Sequence, residues 1–428
     1  MEYVIDKAKV HEAMANNSIS TQQELADILG VTKNQLSVML SDKANPIKSS
    51  FVKLCTVLQL SPVEILKGKE DNIKGKAEIK ELVEYIDIDT VVPKRIFRSV
   101  ELFAGAGGLA LGLEKAGFHA EGLVEIDKYA AETLRTNRRK WNVIEGDIIK
   151  VADNGVEKYL PADVEIDLVS GGYPCQSFSY AGHKLGLEDV RGTMFYYFAQ
   201  VVEQLKPKVF LAENVRGLIN HDEGKTLKSM IDIFESIGYK VTHHLIKAVN
   251  YKVAQKRERV IIVGIRNDFD IKYKLPKPYN EKLVLKDVLK NVPKSAGEKY
   301  PEKKRRILEL VPPGGYWRDL PEEIAKEHMG KSYYSGGGRT GMARRISWDE
   351  PCLTLTCSPA QKQTERCHPD EIRPFTVREY ARIQSFPDDW QFNGSMGQQY
   401  KQIGNAVPVE LAKAVGLSLI GVLNEMED

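Results

Sequence analysis

The fold is decided by a stretch that reads Ser99-Val100-Glu101-Leu102-Phe103-Ala104-Gly105-Ala106-Gly107-Gly108. Its first half predicts a strand, and the residues from Leu109 to Ala116 predict a helix. A strand, a glycine-rich turn and a helix form a cradle for a ligand, because backbone groups and the helix N-terminus can contact it. The turn lacks the full dinucleotide fingerprint, and no Lys-Ser/Thr pair follows the glycines, which argues against a nucleoside triphosphatase.

Two further predicted strand ends carry acidic residues. The strand from Glu121 to Val124 leads into Glu125-Ile126-Asp127, roughly 20 positions after the glycines, where a carboxylate can bind ribose hydroxyls. A third unit ends at Gly146-Asp147-Ile148. A nucleoside without phosphates fits this pattern best, so we predict S-adenosylmethionine as the cofactor. The predicted cofactor-binding residues at these three strand ends are Phe103, Gly105, Gly107, Glu125, Ile126, Asp147 and Ile148.

A second motif, Gly171-Gly172-Tyr173-Pro174-Cys175-Gln176, follows an apolar run from Ile166 to Val169 that predicts a buried parallel strand. Open α/β sheets bind their ligands at the carboxyl ends of such strands, so Cys175 is a candidate nucleophile. A buried cysteine in a tight turn is the alternative, since free cysteine is among the most buried residue types. The motif alone leaves both interpretations open.

Strands and helices continue to alternate as far as the strand from Val260 to Ile265. The strand from Lys208 to Ala212 ends in Glu213-Asn214-Val215, and Gln255-Lys256-Arg257-Glu258-Arg259 precedes the last strand. This alternation predicts an α/β fold with a doubly wound, mostly parallel sheet and helices on both faces. The rhythm stops after residue 266, so residues 267–372 are predicted to form a smaller irregular domain.

Residues 1–66 form a separate unit that we predict to be all-α. A helix from Gln22 ends at Gly30, and Thr32 is a good N-cap for a second short helix. This pattern resembles the phage-repressor type of helix–turn–helix, whose second helix enters the major groove. The predicted groove-facing residues are Thr32, Lys33, Asn34, Gln35 and Ser37. A helical module for protein contact is the alternative, and a charged linker is predicted over residues 67–96.

Composition limits the remaining classes. The 428 residues are 42% hydrophobic and 28% charged, as in an ordinary soluble globular protein, and the formal net charge is +2. The 5 cysteines are irregularly spaced and no signal peptide is evident, so we expect a reduced, cytoplasmic protein without a metal site. The apolar run from Ala414 to Leu423 is too short to span a bilayer.

Taken together, the motifs of residues 99–423 resemble those of bacterial DNA methyltransferases that methylate carbon 5 of cytosine, of the type II restriction–modification class. Each motif alone could arise by chance, but their number and order could not. The motifs are Phe103-Ala104-Gly105-Ala106-Gly107-Gly108, Glu125, Gly146-Asp147, Pro174-Cys175-Gln176, Glu213-Asn214-Val215, Gln255-Lys256-Arg257-Glu258-Arg259, Arg373-Pro374-Phe375-Thr376-Val377-Arg378-Glu379 and Gly404-Asn405-Ala406-Val407-Pro408.

The resemblance implies the roles of four catalytic residues. Cys175 would add as a thiolate to carbon 6 of a flipped-out cytosine, and Glu213 would hold a proton at ring nitrogen 3. Arg259, with Arg257, would grip the ring carbonyl and hold the catalytic loop. For Arg257, a structural contact with backbone or carboxylate groups is an equal alternative.

The resemblance also divides the chain. Residues 97–266 would be the catalytic domain, residues 267–372 a target-recognition domain, and residues 373–428 the return to the catalytic domain. Pro174 and Asn405 would complete the cofactor pocket. The recognition segment has more basic than acidic residues, most densely at Lys303-Lys304-Arg305-Arg306 and Arg344-Arg345, which suits a face that contacts DNA.

The expected function is methylation of a short specific sequence in duplex DNA, which protects that DNA from a partner restriction endonuclease. We expect a monomer as methyltransferase, a possible dimer through the N-terminal module, and no membrane partner. The N-terminal module would regulate transcription of its own gene. The alternatives are an RNA cytosine-5 methyltransferase of similar fold and a transcriptional regulator with secondary methylation activity.

Overall fold

A computed structural model describes residues 3–5, 7–17, 19, 21–40, 54–58, 66–68, 84–174, 193–334 and 341–428. The chain divides into two compact units, Met1–Leu82 and Val83–Asp428. The predicted nucleophile Cys175 lies outside the described residues.

The first unit contains helices and one short strand pair. Its helices are α1 (Lys7–Asn16), α2 (Gln22–Leu29) and α3 (Lys33–Met39), and its strands are β1 (Tyr3–Ile5) and β2 (Leu66–Gly68). The strands pair antiparallel, so the expectation of an all-α unit needs correction at these two segments. The pairing has a packing reason, because it places Ile5 in the core that the helices share.

The helix–turn–helix prediction is confirmed in its local details. The Thr21 hydroxyl accepts a hydrogen bond from the Glu24 amide at 3.1 Å and caps α2, while Gly30 ends the helix at a φ of 70°. The Thr32 hydroxyl accepts from the Gln35 amide, and the Gln35 side chain accepts from the Thr32 amide. The five predicted groove-facing side chains are all exposed.

A seven-stranded sheet forms the centre of the second unit, in the order β6-β5-β4-β7-β8-β11-β9. Strand β11 runs antiparallel to both of its neighbours, and the other described pairings in this sheet are parallel. The mostly parallel sheet is thus confirmed. Its strands are β4 (Phe97–Leu102), β5 (Phe118–Glu125), β6 (Val143–Glu145), β7 (Leu168–Gly171), β8 (Val209–Val215), β9 (Tyr239–Lys247) and β11 (Glu258–Arg266).

Helices cover both faces of this sheet, as the doubly wound fold requires. Helices α4 (Gly108–Ala116) and α14 (Val409–Met426) pack on one face. Helices α6 (Ile148–Asp153), α7 (Met194–Leu205) and α8 (Lys225–Ser236) pack on the other. The segment Met396–Met426 is apolar enough to cross a membrane by composition, but 78% of its most apolar window is buried inside the structure.

Short elements form the rest of the second unit. Strand β3 (Tyr85–Ile86) pairs with β12 (Leu275–Pro276), and β10 (Gln255–Lys256) pairs with β13 (Cys352–Leu353). Residues 84–96, which the sequence assigned to the end of the linker, are therefore folded onto this unit. The remaining helices are α5 (Lys128–Asn137), α9 (Leu285–Val288), α10 (Glu302–Glu309), α11 (Glu322–Met329), α12 (Val377–Ile383) and α13 (Met396–Asn405).

One of the two predicted basic clusters has a structural role. Arg344 donates to the Gly314 carbonyl and pairs with Glu350, and Arg345 donates to the Pro369 carbonyl at 2.9 Å. These arginines hold the irregular segment together, because it has few backbone ladders of its own. These contacts engage both side chains of the Arg344-Arg345 cluster, and its role at a face that contacts DNA stays a prediction.

A buried carboxylate ties the amino and carboxyl ends of the second unit to the sheet. The Asp167 side chain is 1% exposed, and its oxygens accept from the Arg95 guanidinium and from the Arg98 amide at 2.9 Å. Arg95 also pairs with Glu427, and this bond, together with one from Lys208, lowers the pKa of Glu427 to about 2. Both chain ends of the unit depend on this cluster.

We expect Asp167→Asn to lower the free energy of unfolding of the second unit by about 2 kcal/mol, because Arg95 loses its buried anion. Tryptophan fluorescence during urea unfolding measures this, since the four tryptophans (Trp141, Trp317, Trp348 and Trp390) all lie in the second unit. The exposed pair of Asp270 with Lys240 provides the control, and Asp270→Asn should change stability by less than about 1 kcal/mol. Equal effects of both variants would contradict the role of Asp167.

Candidate active site

The carboxyl ends of the parallel strands open into one cavity of about 760 Å³. Its wall is built from strand ends, from residues 354–357 of the irregular segment 267–372 (hereafter the variable segment) and from the C-terminal return, residues 373–428. The lining residues used below are Glu101, Phe103, Gly105, Gly108, Glu125, Ile126, Asp147, Ile148, Gly172, Pro174, Glu213, Arg257, Arg259, Thr356, Cys357, Lys401, Asn405 and Val407.

The glycine-rich turn is held in place by a carboxylate from the neighbouring strand. Glu125 ends β5, and its oxygens accept hydrogen bonds from the Gly105 amide at 2.6 Å and from the Asp127 amide at 2.7 Å. Phe103 and Gly105 both have a positive φ, 58° and 54°, so the backbone turns sharply after β4. This turn places two successive strand ends around the same part of the cavity.

Gly107 has a different position from the one the sequence predicted. It does not belong to the cavity wall formed by the described residues, and it faces two tryptophans outside the cavity. A Cβ on Gly107 would lie 3.1 Å from the Trp390 ring, and the Trp390 indole donates to the Ala106 carbonyl at 3.2 Å. Gly108 lines the cavity instead, pressed against the Val407 carbonyl, which a Cβ would approach to 2.3 Å.

Two carboxyl groups are buried at this end of the cavity. Burial raises the pKa of Glu125, although its backbone hydrogen bonds oppose the shift. Burial, and the nearby charge of Glu125, hold the pKa of Glu101 well above its usual range. Glu101 was not predicted from the sequence, because it lies inside a strand and not at a strand end, where a ligand site is expected.

An acid and a guanidinium form an ion pair at the other end of the cavity. Glu213 on β8 and Arg259 on β11 lie on antiparallel neighbours, and the Arg259 Nε atom is 2.6 Å from the Glu213 Oε1 atom. Gly172 leaves room for the second carboxyl oxygen, since a Cβ there would lie 2.8 Å from Glu213 Oε2. The Asn214 side chain donates to the Tyr173 carbonyl at 3.2 Å and so fixes the chain just before Pro174.

Arg257 is buried and binds backbone carbonyls. Its guanidinium donates to the carbonyls of Leu355 at 3.4 Å, Gly404 at 3.2 Å and Asn405 at 3.5 Å. Burial, and the nearby charge of Arg259, lower the pKa of Arg257 to about 9. Of the two interpretations that the sequence left open, these contacts favour the structural one, in which Arg257 joins two distant segments at the cavity wall.

The C-terminal return closes the cavity. Asn405 lies at its wall and accepts a hydrogen bond from the Cys357 thiol, while Lys401 pairs with Asp127 at 3.2 Å. With Gly107 excepted, all predicted site residues within the described part of the chain line this cavity. Cys175 itself is outside that part, but Pro174, its neighbour, is on the cavity wall.

A carboxylate-bound glycine turn and an acid–guanidinium pair that share one cavity define an α/β enzyme with a small-molecule cofactor site. Residues 97–421 match the model of the C-5 cytosine-specific DNA methylases, and residues 9–71 match that of the Cro/C1-type helix–turn–helix DNA-binding domain. The chain therefore belongs to the C-5 cytosine-specific DNA methylase family, and it carries a helix–turn–helix domain of the predicted type.

Similar proteins cover almost the whole chain. Type II methyltransferase M.Sau96I of Staphylococcus aureus is 56% identical over 98% of this chain and 99% of its own. Type II methyltransferase M.Eco47II of Escherichia coli is 52% identical over 94% of this chain and 95% of its own. A crystal structure of an E. coli prophage DNA modification methyltransferase has the same fold, at a TM-score of 0.57 with 24% identity, over 77% of this chain and 99% of that one.

We predict that Arg257→Met will loosen both segments that the guanidinium joins. The amides of Leu355 and Ala406 are hydrogen-bonded, so their hydrogen exchange reports opening of the two segments. Exchange should accelerate at both, with a loss of about 2 kcal/mol in local stability, because buried carbonyls lose their donor. Arg216→Met, which removes an exposed pair with Glu258, is the control and should leave both amides unchanged. Lost methylation with unchanged exchange would instead assign Arg257 to substrate contact.

Proposed function

We propose that this enzyme methylates carbon 5 of cytosine within a short sequence of duplex DNA, through covalent addition of Cys175 to a flipped-out base. The observation that carries the proposal is the shared cavity. The Glu213–Arg259 pair and the Glu125-bound glycine turn open into it, and Pro174 brings the chain to its wall directly before Cys175.

The residues of the cavity fit S-adenosylmethionine. Ile126 is 67% exposed at the cavity wall, although apolar, and offers a surface on which an adenine ring can pack. Glu125 and Asp147 are placed to accept hydrogen bonds from ribose hydroxyls and from the adenine amine, and Asn405 and Pro174 bound the remaining space. When bound, S-adenosylmethionine supplies an electrophilic methyl group carried by a sulfonium.

The protein's own residues would make carbon 5 of cytosine reactive. Addition of the Cys175 thiolate to carbon 6 forms a carbon–sulfur bond and moves electron density to ring nitrogen 3 and carbon 5. The Glu213 carboxyl holds a proton at nitrogen 3 and so limits the negative charge on the ring. Arg259 fixes the other carboxyl oxygen. After carbon 5 has accepted a methyl group, transfer of its proton to a base or to water and expulsion of the thiolate would restore the aromatic ring.

The target base must leave the base stack of the DNA helix to reach this cavity. This flipping costs about a few kcal/mol, so it requires a DNA that other parts of the protein also bind. Relatives along nearly the whole chain bear the name Type II methyltransferase. This supports a role in the cytoplasm beside a restriction endonuclease of the same sequence specificity. We propose that the methyltransferase acts as a monomer.

We predict that, in the presence of S-adenosylmethionine, a duplex with 5-fluorocytosine at the target position will trap the wild-type enzyme as a covalent complex, because carbon 5 is methylated and then has no proton to lose. Fluorine cannot leave carbon 5 as a cation, so the thiolate is not expelled. The complex should survive denaturing electrophoresis, and peptide mapping should place the adduct on Cys175. Cys175→Ser should form no covalent complex, and its methylation rate should fall at least about 1,000-fold, because covalent catalysis is lost.

Two observations control this experiment, and two outcomes would contradict the proposal. Cys175→Ser should still bind S-adenosylhomocysteine, which shows that the variant is folded. Bisulfite sequencing of DNA from expressing cells identifies the methylated context. An adduct on another cysteine would contradict the assignment of Cys175, and methyl transfer to transfer RNA alone would contradict duplex DNA as the substrate.

We further propose that the N-terminal module binds an operator, that of its own gene, and represses transcription. The exposed polar side chains of α3 support this role, since they match the length and chemistry needed for contacts to base edges in the major groove. The module carries little excess charge, so tight binding would require a dimer on two half-sites.

We expect Asn34→Ala in the full chain to weaken binding to DNA upstream of the gene about 5- to 100-fold, as the loss of one base contact does. Methylation of the target sequence should remain unchanged, because the module is a separate compact unit. Gln23→Ala on α2 is the matched control and should change neither readout. A parallel loss of methylation in Asn34→Ala would assign the module to substrate binding instead.

A further inference from the structure

The cavity contains a thiol that the proposed chemistry does not use. Among the described cysteines, Cys55, Cys352 and Cys367 are buried, whereas Cys357 is exposed and lines the cavity. It lies after β13, within the variable segment, and contacts Asn405 of the C-terminal return.

The Cys357 thiol holds the side chain of a predicted cofactor-binding residue. Its Sγ atom donates to the Asn405 Oδ1 atom at 2.9 Å. Since an amide has one oxygen and one nitrogen on opposite sides, this bond selects the orientation in which Asn405 Nδ2 is the group left for another partner. The thiol therefore engages the Asn405 oxygen and leaves the amide nitrogen for another partner.

The backbone allows Cys357 little freedom to move away. Gly404 packs directly on the segment, and a Cβ there would lie 2.5 Å from the Thr356 carbonyl and 2.8 Å from the Cys357 amide nitrogen. Arg257 holds both sides of this contact through the Leu355 and Gly404 carbonyls. The thiol and the Asn405 amide thus lie in one part of the cavity wall, which the Arg257 hydrogen bonds hold together.

The charge environment keeps Cys357 a donor. The surrounding protein partly desolvates the thiol and so raises the pKa of Cys357, and the nearby cations Arg257 and Lys401 oppose this shift without reversing it. A protonated thiol donates a hydrogen bond and is a poor nucleophile, which separates Cys357 from the role proposed for Cys175.

Other buried groups show that this cavity is built to receive a polar ligand. Arg257 and Glu101 are 2% and 3% exposed and line the same cavity. The Arg257 Nε and Glu101 Oε2 atoms have no hydrogen-bond partner within the described residues. Buried polar atoms of this kind are costly unless a ligand or water completes them.

We infer that Cys357 is a positioning residue of the cofactor pocket: its thiol orients the Asn405 amide toward the bound nucleoside cofactor, which in turn covers the thiol. This inference rests on the proposed use of S-adenosylmethionine. Cys357, which lies in the variable segment, would thus have a direct effect on cofactor affinity.

The first test measures binding of S-adenosylhomocysteine by titration calorimetry to the full chain. We expect Cys357→Ala to weaken binding about 3- to 10-fold, as the loss of one hydrogen bond does. Cys357→Ser retains a donor and should stay within about twofold of the wild type. Equal affinity of the wild type and Cys357→Ala would overturn the inference.

The second test does not depend on a substitution at the site. In the Cys175→Ser chain, N-ethylmaleimide should label Cys357 at least 10-fold faster than Cys352 or Cys367, because those two thiols are buried. S-adenosylhomocysteine should slow the labelling of Cys357 in proportion to occupancy, as read by peptide mass spectrometry. An unchanged labelling rate at saturation would overturn the inference.

The two proposals fail in different ways. If the wild type does not bind S-adenosylhomocysteine at all, the proposed cofactor is wrong and the inference falls with it. If the wild type binds S-adenosylhomocysteine but Cys357 is not protected from labelling, or is not needed for affinity, only the inference fails.

Discussion

One buried guanidinium, that of Arg257, holds the wall of the cavity together. Arg257 lies directly before β11. Its guanidinium donates to the carbonyls of Leu355 and Gly404, which are 98 and 147 positions further along the chain. A buried guanidinium is costly unless its donors are used, and an irregular segment is costly unless its carbonyls are used. The two terminal nitrogens of Arg257 satisfy these carbonyls here. A variable segment can therefore be inserted between the strands and the C-terminal return without opening the site.

The two ends of the cavity differ in charge, and this difference matches the two reactants proposed. At one end, Glu101 and Glu125 are buried acids whose pKa values are raised, so this end gains most from a ligand that carries positive charge. At the other end, Arg259 neutralises Glu213, so this end accepts a neutral ring. A sulfonium and a cytosine base satisfy both conditions. An anionic phosphate at this end would instead raise the pKa of Glu101 and Glu125 further.

Local signals in the sequence predicted most of the fold. The strand–turn–helix at Gly105, the helix end at Gly30 and the strand end at Glu213 were predictable because each depends on neighbours in the sequence. Gly107 and Cys357 were not, because their positions depend on Trp390 and Asn405, which are distant in the chain. Tertiary contacts of this kind leave no periodic pattern.

The same limit applies to charge in the variable segment. A count of basic residues cannot separate Arg344, which holds backbone carbonyls, from Arg306, which is exposed on α10. The exposed set is smaller than the sequence indicates, and Arg305 and Arg306 both pair with Glu302 at 3.0 Å. Exposed pairs of this kind contribute at most about 1 kcal/mol. A DNA phosphate can therefore replace Glu302 at little cost, so these pairs do not prevent α10 from facing DNA.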